Sequence, residues 1–148
     1  MEGKQNTMKI LQFEGIYRFL SNFASSPMMI DGKYYSTVEN YYQSQKTLDE
    51  KESERVRLAM HPGAAKRLGR RCELREDWDE IKDEIMMKGL RAKFSRDDMK
   101  KELLATNDDI LEEGNSWGDR YWGVDSNTGI GKNKLGKFLM QLRDEIRS

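Results

Sequence analysis

The sequence predicts an α+β domain, predominantly α-helical, with a small antiparallel β-sheet. Three observations carry that expectation. Residues 9–35 hold short apolar runs with Asp31-Gly32 set between apolar pairs, a hairpin signal. From Ser36 to about Phe94 the apolar residues recur at helical spacing. The chain closes on an amphipathic segment with Leu135, Phe138, Leu139, Leu142 and Ile146 along one face. A length of 148 residues is expected to form a single domain, residues 1–148, around one sizeable core.

In order along the chain, "KILQF" (9–13) reads as a strand and "MMIDGKYY" (28–35) as the hairpin. A first helix is predicted over 37–47, with Ser36-x-x-Glu39 as a capping-box pattern at its start. A second lies between Glu50 and Met60. His61-Pro62-Gly63 then breaks the chain, and Pro62 opens a third helix through "AAKRLGRR". Trp78, Ile81, Ile85, Met86, Gly89 and Ala92 line one side of a long fourth helix, and a fifth covers about Asp97 to Leu104. "ILEEG" (110–114) reads as a short strand. The stretch "GNSWGDRYWGVDSNTGIGKN" (114–133) is the least regular part, glycine-rich and polar yet holding two tryptophans.

Composition removes several classes of function. Lys plus Arg and Asp plus Glu both number 26, for a formal net charge of +0, which argues against a chain held to nucleic acid by bulk charge. Cys72 is the one cysteine, so no internal disulfide and no Cys-x-x-Cys zinc site is available. His61 is the one histidine; it is read as part of a helix start, and a His-based triad or multi-His metal centre lacks members. No metal and no cofactor is therefore expected. No apolar run approaches the roughly 20 residues of a membrane span, and "MEGKQNTMKI" lacks the apolar middle of a signal peptide, so a cytoplasmic protein with no membrane partner is expected.

Three stretches hold candidate chemistry. At about 3.6 residues per turn, Glu39, Tyr42, Gln43 and Lys46 share one arc of the first helix. Glu39 is either a cap residue beside an exposed polar ladder, or a general acid/base held near an amine. Burial without a partner would lower the pKa of Lys46 and free its amine to attack a sugar C1 as a Schiff-base nucleophile. Trp117, Tyr121 and Trp122 either plug the core or form a stacking wall for a flat heterocycle, with Asp119 and Asp125 beside it. Gly131-x-x-x-x-Gly136-Lys137 imitates a phosphate-binding loop, but Phe138 occupies the position of the magnesium-binding hydroxyl, which excludes the NTPase reading. A glycine-rich turn with Lys132, Asn133 and Lys134 at a helix start remains, either a flexible loop with an ordinary helix entry or a turn whose backbone N–H groups attract phosphate. Lys66, Arg67, Arg70 and Arg71 form a basic patch at helical spacing, a solvated face or a phosphate contact.

"FLSNF" (19–23), "DGKYYSTVENYYQSQK" (31–46), "HPGAAKRLGR" (61–70), "DWDEIKDEIMMKGLRAKF" (77–94), "LLAT" (103–106), "YWG" (121–123) and "GIGKNKLGKFLMQLR" (129–143) occur in this order. Together they resemble the YbiA-like proteins of the NADAR superfamily over nearly the whole chain. The resemblance implies a YbiA-like fold and an N-glycosidase that cleaves the bond between ribose C1 and a base nitrogen. Its substrate would be a phosphoribosylated aminopyrimidine of riboflavin synthesis or ADP-ribosylated guanine, with nucleic acid as carrier in the second case. It places the motif glutamate on Glu39, the following lysine on Lys46, and other motif residues on Trp78, Asp119, Tyr121, Trp122 and Gly123. Asn40 stands where many relatives have histidine, and Asp125 where glycine is frequent.

The expected site then has Glu39, Lys46 and Asp119 as catalytic groups, with Lys46 forming the Schiff base. Trp78 and Trp122 would hold the base, Ser21 and Asn22 would orient the ribose, and the Gly129–Asn133 loop would bind phosphate. Tyr42, Gln43, Gly123, Asp125, Gly131 and Asn133 complete the substrate-binding set. The rival reading is a non-enzymatic module that binds nucleotides, ADP-ribose or nucleic acid through the basic patch and the aromatic loop. The oligomeric state is not legible.

Overall fold

The computed structural model describes residues 7–148; the first part of the N-terminal stretch read above lies outside the described residues. The order of elements begins β1 (Lys9–Ile10), a 3-10 helix (Gly15–Leu20), β2 (Met28–Ile30), β3 (Lys33–Tyr35), α1 (Val38–Ser44), α2 (Glu50–Arg57) and α3 (Pro62–Arg71). It continues α4 (Trp78–Lys93), α5 (Asp97–Leu104), β4 (Ile110–Leu111), β5 (Gly114–Asn115), β6 (Val124–Asp125) and α6 (Lys134–Arg147). The α+β, mostly helical class is as predicted. Two compact units emerge, one of Asn22–Arg96, the other of the chain up to Ser21 together with Asp97–Ser148.

In the Asn22–Arg96 unit, Asp31 and Gly32 take φ of 51° and 81°, the paired positive values of a two-residue hairpin turn. The turn sets β2 antiparallel to β3, with Met28 opposite Tyr35 and Ile30 opposite Lys33. Met28, Ile30 and Tyr35 are buried while Met29 and Tyr34 face out, the alternation a one-sided hairpin requires. α1 follows and packs against α2, α3 and α4. All seven of its residues are buried. Val38 and Tyr41 meet Gly89 of α4, where an added Cβ would lie 3.0 Å from the Tyr41 ring, so glycine leaves these helices in close contact without displacing either side chain. Val56, Ala65, Trp78, Met86, Leu90 and Phe94 complete this core.

Helix starts follow local chemistry, with one correction. Thr37, not Ser36, caps α1: its hydroxyl accepts the Asn40 N–H at 3.0 Å. Glu39 is thus too early in the helix for the predicted capping box, and its N–H instead donates to the Asn22 carbonyl at 3.1 Å. α1 also ends sooner than predicted, with Gln45 as its cap. Asp49 caps α2, and His61 Nδ1 accepts the Ala64 N–H at 3.1 Å to cap α3, the helix-start role read from sequence.

In the other unit, β1 pairs with β4 and β5 with β6, both in parallel. Of the described ladders only the β2–β3 pair is antiparallel, so the strand content is finer than one small antiparallel sheet. β1 and β4 are two residues each and far apart in sequence, and partners that distant leave no turn signal. α6 buries Leu135, Leu139 and Leu142 as its apolar face predicted. Among the described residues no helix is long and apolar enough to cross a membrane.

Burial, then the neighbouring Tyr35 and Asp31, push the Tyr41 hydroxyl up to about 12 from its ordinary 10.0. The folded state therefore keeps a proton that the unfolded chain loses, and stability falls as pH rises between those values. Urea titrations at pH 9 and pH 11 are expected to show this loss in the wild type and a smaller one in Tyr41→Phe. Equal losses in both would exclude Tyr41 as its source.

Candidate active site

α1 carries Glu39, Tyr42 and Gln43 in its buried helical turns, and Lys46 follows just past its end. A buried helix is ordinarily apolar, so each polar side chain here needs a partner. Asn40 is fully buried and finds its partners at the end of α2, donating to the carbonyls of Val56, Arg57 and Ala59, each at 3.3 Å. Ser44 donates to the Tyr41 carbonyl at 2.7 Å. Gln43 Nε2 donates to Glu39 Oε2 at 2.7 Å, which fixes the amide orientation because a carboxylate only accepts. Glu39 is 7% exposed.

α3 brings Gly69 against Gln43. A Cβ at Gly69 would overlap Gln43 Oε1 and lie 3.1 Å from the Gln43 Cβ, so glycine is what allows this turn of α3 to reach α1. Gln43 Oε1 and Asn22 Oδ1 are buried polar atoms with no hydrogen-bond partner among the described residues. Asn22 donates to the Met86 sulfur at 3.4 Å and, as noted, accepts the Glu39 N–H through its backbone.

Lys46 is half-buried, with its Nζ 5.7 Å from the centroid of the Tyr42 ring. The ring in turn meets Trp78 at 5.0 Å, and Trp78 is only 5% exposed, so it supports Tyr42 from within the core. Burial holds the Lys46 ammonium below its usual range; Glu39 opposes this, while Arg70 and Lys66 reinforce it. Among the described residues Lys46 makes no ion pair within 4.0 Å. The end of α1 is held firmly: Ser53 donates to the Ser44 carbonyl at 2.8 Å, and the Arg75 N–H to that of Lys46 at 2.8 Å. Arg75 also pairs with Asp77 at 2.6 Å. Six of the expected site residues, Asn22, Glu39, Tyr42, Gln43, Lys46 and Trp78, therefore converge within this unit.

The other expected residues belong to the second unit. Ser21 closes the 3-10 helix, its N–H donating to the Arg18 carbonyl. Asp119, Trp122, Gly123, Asp125, Gly131 and Asn133 fall in one self-bonded loop cluster. Asp119 Oδ1 accepts the N–H groups of Tyr121 and Trp122, both at 3.0 Å, and so shapes the turn. Trp122 packs against Phe138 at 5.9 Å and Tyr121 at 4.9 Å. Gly123 lies against Glu113 and Asn115 with no room for a side chain. Asp125 accepts from Asn127 N–H at 3.0 Å and faces Arg120 at 3.4 Å. Trp117 stays 61% exposed.

The expected phosphate grip of the Gly129–Asn133 loop meets a physical obstacle. The N–H groups of Lys132, Asn133, Lys134 and Leu135 already donate to the carbonyls of Arg120, Gly123, Tyr121 and Trp122. Asn133 uses its side chain to bridge Glu113 N–H and the Leu111 carbonyl, at 3.0 and 2.9 Å. What the loop offers an anion is side chains: Lys132 and Lys134 both lie over the Tyr121 ring, at 5.3 and 5.0 Å. Sequence reasoning missed these backbone commitments, along with the roles of Asn40, Gly69 and Arg75. Each depends on a partner distant in sequence, and none carries a local signature.

A family model described as the NADAR domain matches residues 9–147. The chain belongs to the NADAR family. N-glycosidase YbiA of Escherichia coli (strain K12) is 44% identical over 133 residues, covering 88% of this chain and 82% of that protein. A NADAR relative from Nostoc punctiforme, also named an N-glycosidase, is 41% identical over 139 residues, 89% of this chain and 87% of its own. A chloroplastic riboflavin biosynthesis protein of Zea mays is 33% identical over 149 residues, 88% of this chain but 24% of that longer protein. The NMR structure of Escherichia coli YbiA superposes with a TM-score of 0.84 at 40% identity, over 97% of this chain and 88% of that one.

Within this NADAR chain the Gly69 contact is a sensitive point. Gly69→Ala is expected to displace Gln43 from Glu39 and to lower the melting temperature, at a cost of about 1–3 kcal/mol for the overpacked contact. Thermal unfolding followed by circular dichroism checks it; an unchanged melting temperature would mean the α1–α3 approach is looser than described.

Proposed function

We propose that this chain is an N-glycosidase that hydrolyses the bond between ribose C1 and a base nitrogen, with Glu39 and Lys46 as its reacting groups. The observation that carries the reading is the buried carboxylate of Glu39 on the same wall as a half-buried lysine whose charge is disfavoured. Two relatives named N-glycosidases support it. Relatives named riboflavin biosynthesis proteins, in Zea mays and Vibrio vulnificus, support a phosphoribosylated aminopyrimidine as substrate. ADP-ribosylated guanine has the same ribose–nitrogen bond and is the second substrate class.

The chemistry follows from that pair. The Lys46 lone pair attacks C1, the C1–N bond breaks, and the departing base nitrogen takes a proton from Glu39. Ring opening transfers the amine proton to the ring oxygen and leaves a protonated imine between Lys46 and C1. Water adds to C1, Glu39 receives its proton, and the amine departs as the sugar recloses. Desolvation makes the amine available at lower pH than for an exposed lysine, and the carboxylate that Glu39 becomes on giving up its proton stabilises positive charge on the sugar. Gln43 holds Glu39 in one orientation, and Tyr42 on its Trp78 support lies beside Lys46. Asp119 is the candidate for a further acid/base. Asp119→Asn keeps the acceptor that turns its loop while removing the charge, so lost turnover with intact folding would assign it that role.

Glu39→Gln keeps the shape and the Gln43 neighbour. It is expected to lower the rate of sugar release by about 10²- to 10⁴-fold, the usual share of a general acid/base, with little change in melting temperature. Release is followed by mass spectrometry on a phosphoribosylaminopyrimidine and on an ADP-ribosyl-guanine oligonucleotide, and wild-type rates in the variant would remove Glu39 from the mechanism. The pH profile gives an independent check. kcat/KM rises with pH as Lys46 loses its proton, and the limb is expected below the ordinary lysine value of 10.5. A limb at or above that value would exclude Lys46 as the free-amine nucleophile.

A further inference from the structure

The two ends of α3 differ in a way that the chemistry just described does not use. At its start, Met60 is 97% exposed and Leu58 is exposed beside it. Neighbouring large apolar side chains left this bare mark a contact surface. The Arg67 guanidinium turns back toward the same end of the helix, 3.8 Å from where a Gly63 Cβ would be, and His61 Nδ1 lies 3.3 Å from that point. Arg67 is exposed and makes no ion pair to a described residue. The start of α3 is therefore an apolar tip with a cation behind it.

Just past the other end of α3 lies a groove. The α1–α2 turn (47–49) and the α3–α4 connection (73–77) enclose about 510 Å³ between them. Its apolar lining is Leu48 and Leu74, 71% and 54% exposed, and carboxylates stand around them. Asp77 is taken by Arg75 at 2.6 Å. Asp49, Glu73 and Glu76 have no ion-pair partner among the described residues. Both walls are fixed, since Asp49 caps α2 and the Arg75 N–H is bonded to the Lys46 carbonyl at 2.8 Å.

Tip and groove match in polarity and in charge, yet one chain cannot join them. The ten residues of α3 hold them about 15 Å apart along a helix. We propose that the groove receives the Met60 tip of a second copy of this chain. A two-fold axis crossing α3 exchanges the ends of the helix, so each tip enters the other copy's groove and the pair closes on itself. Met60 packs on Leu48 and Leu74, while Arg67 meets Glu73 and Glu76 at the rim. A formal net charge of +0 sets no overall repulsion against such self-association. The apolar contact supplies most of the affinity, and the charged rim selects the partner and its orientation. This pairing is independent of the reaction assigned to Glu39 and Lys46.

Sedimentation velocity over a concentration series reads the mass directly. The wild type is expected to move from 17.4 kDa toward twice that value as concentration rises. Met60→Ser, Arg67→Glu and the double variant Glu73→Lys with Glu76→Lys are each expected to weaken association about tenfold or more. All four positions are exposed, so the fold tolerates these changes. Met29→Ser, exposed on the hairpin of the same unit, is expected to associate as the wild type does. Mixing the two charge variants is the decisive arm. Each repels itself, but in the mixed pair a reversed tip meets a reversed groove and a native tip meets a native groove. The mixture is therefore expected to recover wild-type association. A wild type that stays monomeric leaves the groove to a basic partner of another kind and overturns the proposal. So does a dimer insensitive to these variants, or a mixture that associates no better than either variant alone.

Discussion

α1 is surrounded by its own unit, yet Glu39, Asn40, Gln43 and Ser44 are polar members of its seven buried residues. A buried polar group left unpaired costs about 1–3 kcal/mol, and an ionised one more. The neighbouring elements are arranged around that demand. Asn40 is held by the end of α2, the Gln43 amide nitrogen by Glu39, and the carbonyls at the end of α1 by Ser53 and Arg75, while Gln43 Oε1 has no partner among the described residues. Glycine at positions 69 and 89 lets α3 and α4 come close enough to enclose the helix.

That enclosure also sets the electrostatics. On a solvated face a glutamate seven residues before a lysine would be one exposed charge pair among many, worth little. Inside this packing the lysine is partly stripped of water and the carboxylate accepts an oriented amide N–H from Gln43. On the proposed chemistry, the same burial that makes the stretch costly to fold is what makes its acid and its amine usable. Replacing either by an apolar residue is therefore compatible with greater stability, a common trade at functional sites.

Much of this was legible from sequence. The Asp31-Gly32 turn, the Pro62 start of α3 and the apolar face of α6 announced themselves through local rules, and the spacing of Glu39, Tyr42, Gln43 and Lys46 put them on one arc. Periodicity could not say whether that arc was wet or dry, because the residues that bury it come from α2, α3 and α4. The capping box failed for a related reason: Thr37 and Asn40 satisfy the helix start, leaving Glu39 to the Asn22 carbonyl. The parallel pairing of β1 with β4 was invisible in two-residue strands so distant along the chain. The Gly129–Asn133 loop was expected to bind phosphate because its glycines and lysines are those of an anion site. In the fold amides of that loop close on carbonyls of the stretch before it.

The most direct test of the central claim is chemical capture of the lysine. Wild-type protein turning over a phosphoribosylaminopyrimidine is treated with borohydride, digested, and mapped by mass spectrometry. The account predicts a reduced pentose-phosphate adduct on Lys46, absent in Lys46→Ala along with sugar release. Full release by Lys46→Ala, or a trapped sugar on a different lysine, would contradict it.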